Sequence, residues 1–247
     1  MSSHAEDHEV IMIDTWKFSL RGQPEQLQNH LDDLVGEEQQ RIHQGIFPEL
    51  AERSTRSRLG LRWILGSYLD CQPREVPLKI GEHGKPELDP NSPQFQSLHF
   101  NLSHCGDLAL MVVSWQSILG VDLERIRLES PIEDLAQRVF AEKERETWLQ
   151  SPPDKLRESF FHLWVQKEAM VKAHGDGMTL PLRHFSGISD PTTMTGAIRS
   201  DLPEIGHDIW RYHAEICAKD LRSAIVFRGK DAKIQSREPE SVGLSRW

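Results

Sequence analysis

FFHLWVQKEAMVKAHGDG, Phe160 to Gly177, decides how the rest of the chain is read. Neither Pro nor Gly interrupts Phe160 to His174 and strong helix formers dominate, so the stretch predicts a helix. Steps of three and four place Phe161, Trp164, Val165, Glu168 and Lys172 on one face, which sets a carboxylate and an ammonium in line with an apolar stripe. A Glu/Lys pair four residues apart ordinarily lies in solvent and stabilises a helix by about 0.2–0.5 kcal/mol. Here the pair shares its face with Phe161 and Trp164, which points to a working pair and raises the question of what else converges on it.

Three strands are expected upstream of that helix, at Leu98 to Leu102, Leu108 to Ser114 and Ile118 to Leu123, with short connections that suggest an antiparallel meander. The third ends in GVDLER. Alternation along a strand projects Asp122 and Glu124 to one side and Val121 and Leu123 to the other. Two carboxylates side by side repel unless a cation lies between them, and hard divalent cations such as Mg2+ prefer oxygen ligands of this kind. The same pattern also occurs as a plain solvent-facing strand edge. Between the first two strands lies NLSHCGD, where Asn101, Ser103, His104 and the Gly106 amide offer donors suited to an anion or to turn capping. Earlier still, Gly84-Lys85-Pro86 is turn chemistry that presents a lysine.

The N-terminal part predicts a strand over Val10 to Phe18, short helices over Pro24 to Val35 and Glu37 to Ile46, and a longer helix over Glu49 to Leu69. That longer helix carries Arg53, Arg56, Arg58 and Arg62. In an acidic chain they are read either as a solvated side or, with Arg41, as an electropositive site for phosphates. Helices are expected at Pro131 to Phe140 and Glu142 to Leu149, and strands again at Trp210 to Cys217, Ser223 to Phe227 and Ala232 to Gln235. SAIVFRGKDAKI echoes LALMVVSWQSIL, each a strand, a turn and a strand, which hints at two halves of similar design. The tail, SREPESVGLSRW, reads as polar and loose.

Composition sets the outer bounds. At 247 residues, 38% hydrophobic and 27% charged, the chain suits one large core or two packed ones. A net charge of -9 argues against a general nucleic-acid binder. Cys71, Cys105 and Cys217 fit neither a disulfide framework nor a zinc spacing and read as thiols in a reducing compartment. With no basic leader and no run of 18 apolar residues, neither secretion nor membrane insertion is expected, and a cytoplasmic location follows.

GKP at Gly84 to Pro86, FNLSH at Phe100 to His104, GVDLE at Gly120 to Glu124 and WVQKEAMVK at Trp164 to Lys172 occur in this order. Together they resemble the 4'-phosphopantetheinyl transferases, specifically the larger type that activates surfactin synthetase, over roughly Arg41 to Phe185. The resemblance implies an α+β pseudo-dimer of two similar halves, each a small antiparallel sheet packed with helices, with the active site in the cleft between them. The halves would be 1–117, making contacts to coenzyme A phosphates, and 118–247, carrying the metal carboxylates and the catalytic helix. It implies transfer of the phosphopantetheine arm of coenzyme A to a serine of an apo acyl, peptidyl or aryl carrier protein, by a monomer.

The resemblance also assigns residues. Asp122, Glu124 and Glu168 would hold Mg2+, or Mn2+ in its place. Glu168 would also take the serine proton, and Lys172 would stabilise the departing phosphate. Arg41, Arg53, Ser54, Lys85, Ser103 and His104 would bind the nucleotide and its phosphates, with Asp122 and Lys172 completing the coenzyme A contacts. The carrier protein would dock on an apolar surface around the central helix and the region from Ser130 to Leu156. A Mg2+-dependent phosphohydrolase or nucleotidyl transferase, and a non-catalytic coenzyme A or carrier-binding module, are the rival readings.

Overall fold

Leu156–His174 is the helix on which the C-terminal part is built, and from Ser159 to Ala173 only Trp164, Glu168 and Lys172 escape full burial. Those three stand four residues apart, so one narrow stripe of an otherwise enclosed helix reaches open space. Gly175, at φ 100, ends the helix in the left-handed conformation, with its N–H bonded to Val171 O. These features come from a computed structural model that describes residues 10–36, 38–39, 48–81, 84–175, 177, 180–187, 190–206 and 208–244. Arg41 and most of the helix expected over Glu37 to Ile46 lie outside the described residues.

The strands in chain order are β1 (Ile11–Ser19), β2 (Leu78–Ile80), β3 (Pro86–Leu88), β4 (His99–Cys105), β5 (Leu108–Ser114), β6 (Leu119–Arg125), β7 (Phe185–Ser186), β8 (Thr195–Ser200), β9 (Trp210–Ala218), β10 (Leu221–Arg228) and β11 (Ala232–Arg237). They form a four-stranded sheet in the order β11-β1-β5-β4, a five-stranded sheet in the order β6-β10-β9-β8-β7, and the small β2-β3 ribbon. The pairings are antiparallel except for β1 with β11, which run parallel.

Both main sheets repeat one plan, a strand, a long helix and a hairpin whose second strand returns beside the first. In one sheet these are β1, the helix Pro48–Leu69, β4 and β5; in the other they are β6, the central helix, β9 and β10. The expected pairing of two similar α+β halves is therefore present. The expected meander is not: β6 leaves β4 and β5 and pairs with β10 in the second sheet. Asn101 and Ser103 on β4 take two of the N–H groups that a meander would have given to backbone carbonyls.

Alternation explains how the layers stack. On β5, Ala109, Met111 and Val113 join the core under helix Pro48–Leu69, while Leu110 and Val112 join a second cluster with Val121, Leu123, Ile225 and Phe227 from β6 and β10. Ala224 and Val226 of β10 face Val165, Ala169 and Met170 of the central helix. Strands buried on both faces read as continuous apolar runs, which is why LALMVV and SAIVF look alike in sequence.

Two further expectations change. Over Pro24 to Val35 the helix covers only Pro24–Gln28, followed by a single 3-10 turn at Leu31–Asp33. The tail is docked as far as Leu244, which is 5% exposed and belongs to the first core, because β11 carries the chain back onto the first sheet. No helix among the described residues is long and apolar enough to cross a membrane.

Candidate active site

Gly120 sets the distance between β6 and the central helix. A Cβ there would fall far inside van der Waals contact of Ala169 O and Ala173 N, and backbone atoms cannot step aside as a flexible side chain can. The glycine therefore serves close approach, and that approach brings Asp122, two residues on, within reach of Lys172. Asp122 Oδ1 accepts from Lys172 Nζ at 2.6 Å and from Ser103 Oγ at 3.2 Å, while Oδ2 is buried without a hydrogen-bond partner. A carboxylate oxygen left in that state is costly unless something outside the chain satisfies it.

Glu124 and Glu168 flank this point. Burial, then repulsion from Asp122, pushes Glu168 up to about 7 against the opposing pull of Lys172, with Glu124 adding further repulsion. Burial and Asp122 likewise raise Glu124, which Arg127 faces at 3.7 Å. The three carboxylates therefore sense one another electrostatically. Among the described residues no group of three His, Cys, Asp or Glu side chains is already drawn into a metal shell. Lys172 holds the place of a cation at Oδ1.

The remaining expected residues divide. Lys85 reaches across from its turn and donates to Lys172 O at 2.7 Å, in the last turn of the central helix; burial holds its ammonium below the ordinary lysine value. Gly84, Lys85, Pro86, Phe100, Asn101, Lys172 and Gly175 are among the residues lining a cavity of about 300 Å³. His104 stands exposed at the end of β4; partial desolvation, then the charges of Lys172 and Arg53, lower its imidazole. Arg53 is anchored on Asp107 at 2.7 Å, in the β4–β5 turn. Ser54, one residue on, lines a different cavity of about 410 Å³ with Glu38, Thr55, Arg58, Arg62, Lys79 and Ile80. The structure thus brings Arg53 close to His104 and sets Ser54 on another side of the same helix.

The arginine cluster is mostly internal. Arg56 and Arg62 are 0% and 1% exposed; Arg56 binds Glu52 and Gln23 O, and Arg62 binds Glu38, Pro73 O and Val76 O. The reading of these two as phosphate ligands is corrected, since their charges are neutralised within the fold. Ser103, expected among the phosphate-binding residues, has its hydroxyl bonded to Asp122, Lys172 and the Leu123 N–H.

Sequence reasoning passed over one buried pair. Lys167, next to Glu168, is fully buried, and its Nζ donates to Glu144 Oε2 at 2.8 Å, Leu182 O at 2.8 Å and Phe185 O at 2.6 Å. Glu144 in turn accepts from Ala141 N and Gly187 N, so the pair ties the central helix to helix Glu142–Leu149 and to the segment after it. Three donated bonds saturate an ammonium. A Lys-Glu dipeptide points its two charges about 100° apart around a helix, and only the adjacency of residues 167 and 168 hinted that one of them faces inward.

With this geometry in place, comparison with known proteins gives one answer. The N-terminal model of the 4'-phosphopantetheinyl transferases matches residues 17–116, and the model of the 4'-phosphopantetheinyl transferase superfamily matches residues 118–226. The 4'-phosphopantetheinyl transferase HetI of a Nostoc species is 37% identical over 166 residues, which cover 67% of this chain and 70% of HetI. The 4'-phosphopantetheinyl transferase Sfp of Bacillus subtilis is 30% identical over 62% of this chain and 70% of its own length. A putative 4'-phosphopantetheinyl transferase of Synechocystis is 34% identical over 59% of this chain and 58% of its own. The stretches Gly120 to Glu124 and Trp164 to Lys172, which build the carboxylate and lysine cluster, fall inside the superfamily match, and the chain belongs to the 4'-phosphopantetheinyl transferase superfamily.

Proposed function

We propose that this transferase moves the 4'-phosphopantetheine arm of coenzyme A onto a serine hydroxyl of an apo carrier protein and releases 3',5'-ADP. The observation that carries the reading is the meeting of Glu168, Asp122 and Lys172 on the one open stripe of a buried helix, with an Asp122 oxygen left unpaired.

The donor set fits a hard divalent cation. Asp122 Oδ2 is unpartnered, and the like charges that raise Glu124 and Glu168 would be relieved by positive charge among them. Asp122, Glu124 and Glu168 would hold Mg2+, or Mn2+ in its place, which supplies charge neutralisation at the pyrophosphate. This chain's own residues account for the other parts. Glu168 accepts the serine proton as the serine oxygen attacks the phosphorus that bears the pantetheine. The bond from that phosphorus to the bridging oxygen breaks, and the leaving phosphate takes the electron pair. Lys172 stands where that charge develops. Lys85, Arg53 and His104 supply cationic or donating groups for the nucleotide's phosphates, and Ser54 with the larger cavity suits its sugar and base. Arg41 keeps its assignment as a further phosphate ligand.

In this reading residues 1–117 serve the coenzyme A phosphates and 118–247 the metal and the catalysis, a division supported by where the two family models meet. The carrier protein docks around the central helix and the region from Ser130 to Leu156, where Leu149 is 54% exposed. Leu128, 81% exposed, follows Arg127 in the chain just before that region. Apolar knobs among arginines suit an acidic partner helix. The protein acts as a monomer in the cytoplasm, where coenzyme A and carrier proteins of fatty-acid, polyketide or nonribosomal-peptide synthesis meet.

The test is the intact mass of an apo carrier protein after incubation with this protein, coenzyme A and Mg2+. A gain of one arm, about 340 Da from its covalent composition, that disappears with Glu168→Ala supports the reading. No gain across acyl, peptidyl and aryl carriers, with coenzyme A still bound, replaces it with a binding module.

A further inference from the structure

Two arginines from distant parts of the chain share one carboxylate at the turn between β4 and β5. Asp107 Oδ1 accepts from Arg53 Nε at 2.7 Å, and Arg21 Nε faces Oδ2 at 2.5 Å. The backbone makes this meeting. Leu20 N donates to Asp107 O at 2.7 Å, which holds the end of β1, and Arg21 with it, against the turn. Gly106, at φ 59, lets the turn close tightly between the paired residues Cys105 and Leu108.

A guanidinium presents its N–H groups in a planar fork, and both arginines spend only the inner nitrogen, Nε, on Asp107. Among the described residues neither side chain has another hydrogen-bond or ion-pair partner, so the terminal nitrogens of both forks are open. One carboxylate against two guanidiniums also leaves net positive charge. Arg53, opposed by desolvation and joined by Arg21, holds the Asp107 carboxyl below the ordinary aspartate value, so it is ionised at neutral pH. Arg21 is 78% exposed, and an ion pair that open stabilises a fold little. What the carboxylate supplies is orientation. Arg53 and Lys172 both lower the His104 imidazole, so the arginine pair lies within electrostatic reach of a residue that also senses the reacting cluster.

Resting on the transferase reading above, we propose that Asp107 is a positioning residue for a two-arginine phosphate clamp, in which Arg21 joins Arg53 as a direct ligand. Asp107 separates two like charges that would otherwise repel and turns both forks away from itself. Coenzyme A carries a pyrophosphate and a ribose 3'-phosphate monoester. The pyrophosphate belongs with Asp122, Glu168 and Lys172, where the arm is transferred. The monoester is the anion left over, and its terminal oxygens suit forked donors that need no metal.

The experiment compares wild type, Arg21→Ala and Asp107→Asn as full chains, by kcat, KM and calorimetric affinity, with coenzyme A and with dephospho-coenzyme A, which lacks the monoester. Arg21→Ala is expected to raise KM for coenzyme A by about three- to tenfold, the scale of one open charged contact. Asp107→Asn keeps the turn chemistry but loses the anchor of both forks, and is expected to raise it by about five- to twentyfold. For dephospho-coenzyme A both variants are expected to stay within about twofold of wild type in KM, and kcat to hold with either substrate. Equal rises with the two substrates would overturn the proposal, as would an unchanged KM in Arg21→Ala. Tighter coenzyme A binding in Asp107→Asn would make Asp107 a competitor for the arginines and overturn it too. If the wild type transfers no arm to any carrier, the transferase reading fails on its own. Calorimetry then judges the clamp. A preference for coenzyme A over dephospho-coenzyme A that Arg21→Ala weakens supports it; no preference, or one that Arg21→Ala leaves intact, overturns it.

Discussion

The two long helices occupy equivalent places in the two sheets and handle their charges in opposite ways. Helix Pro48–Leu69 buries Arg56 and Arg62 but neutralises each within the fold, through Glu52 and Glu38. The central helix does the same with Lys167 and Glu144 on its inner side, yet on its open stripe it leaves Glu168 raised to about 7 and Lys172 against a half-satisfied Asp122. Buried charge on the first helix is thus paired with carboxylate, although Arg56 Nη1 is left without a hydrogen-bond partner, whereas along the open stripe of the central helix carboxylates repel one another. Unmet demand at a cleft, with a partner that can supply it, is what separates a site from a core.

Substitutions that cross this line sharpen the comparison. Glu168→Ala should lower the rate of arm transfer by about 10³-fold, in the range of a lost general base, with no fall in melting temperature. Intact-mass kinetics and calorimetry would show both. Lys167→Met on the central helix should destabilise the fold by about 3–5 kcal/mol, because it strands the buried Glu144 carboxylate. Arg62→Met on the first helix should cost less, because Glu38 is partly exposed and keeps Arg58 at 3.6 Å. Urea unfolding reads both losses.

Acidity separates the halves next. The Glu168 carboxyl is raised from 4.5 to about 7 in the folded chain, so its contribution to stability is full below pH 4.5 and is lost as the pH climbs through 7. The metal-free protein should therefore lose about 1–3 kcal/mol between pH 5 and 8, and Glu168→Gln should flatten that slope in urea titrations. The smallest effect expected is at the docking surface. Leu128→Asp should raise the KM for the carrier by about three- to tenfold with kcat for bound carrier unchanged, in the range of a peripheral contact.

Much of this was legible in the sequence because it rests on periodicity. The central helix, the opposed faces of β6 and the echo between β5–β6 and β10–β11, each of which crosses from one sheet to the other, follow from spacing. What escaped depended on partners far away in the chain. Nothing local tells that Ser103 would saturate itself on residues 19, 20 and 69 positions away, or that Lys167 would meet Glu144. The arginines of helix Pro48–Leu69 looked like an anion site because sequence shows charge without showing burial. Gly120 read as one letter of a motif, and only the backbone of residues 169 and 173 reveals why no side chain fits there.

The central claim is that Asp122 and Glu168 await a cation. Calorimetric titration of Mg2+ into the protein with coenzyme A, at pH 7 in buffers of different ionisation enthalpy, tests it most directly. The account predicts one cation per chain, absent in Glu168→Gln, with release of about half a proton on binding as the raised carboxyl ionises. Binding without proton release, or binding that survives Glu168→Gln unchanged, would contradict it.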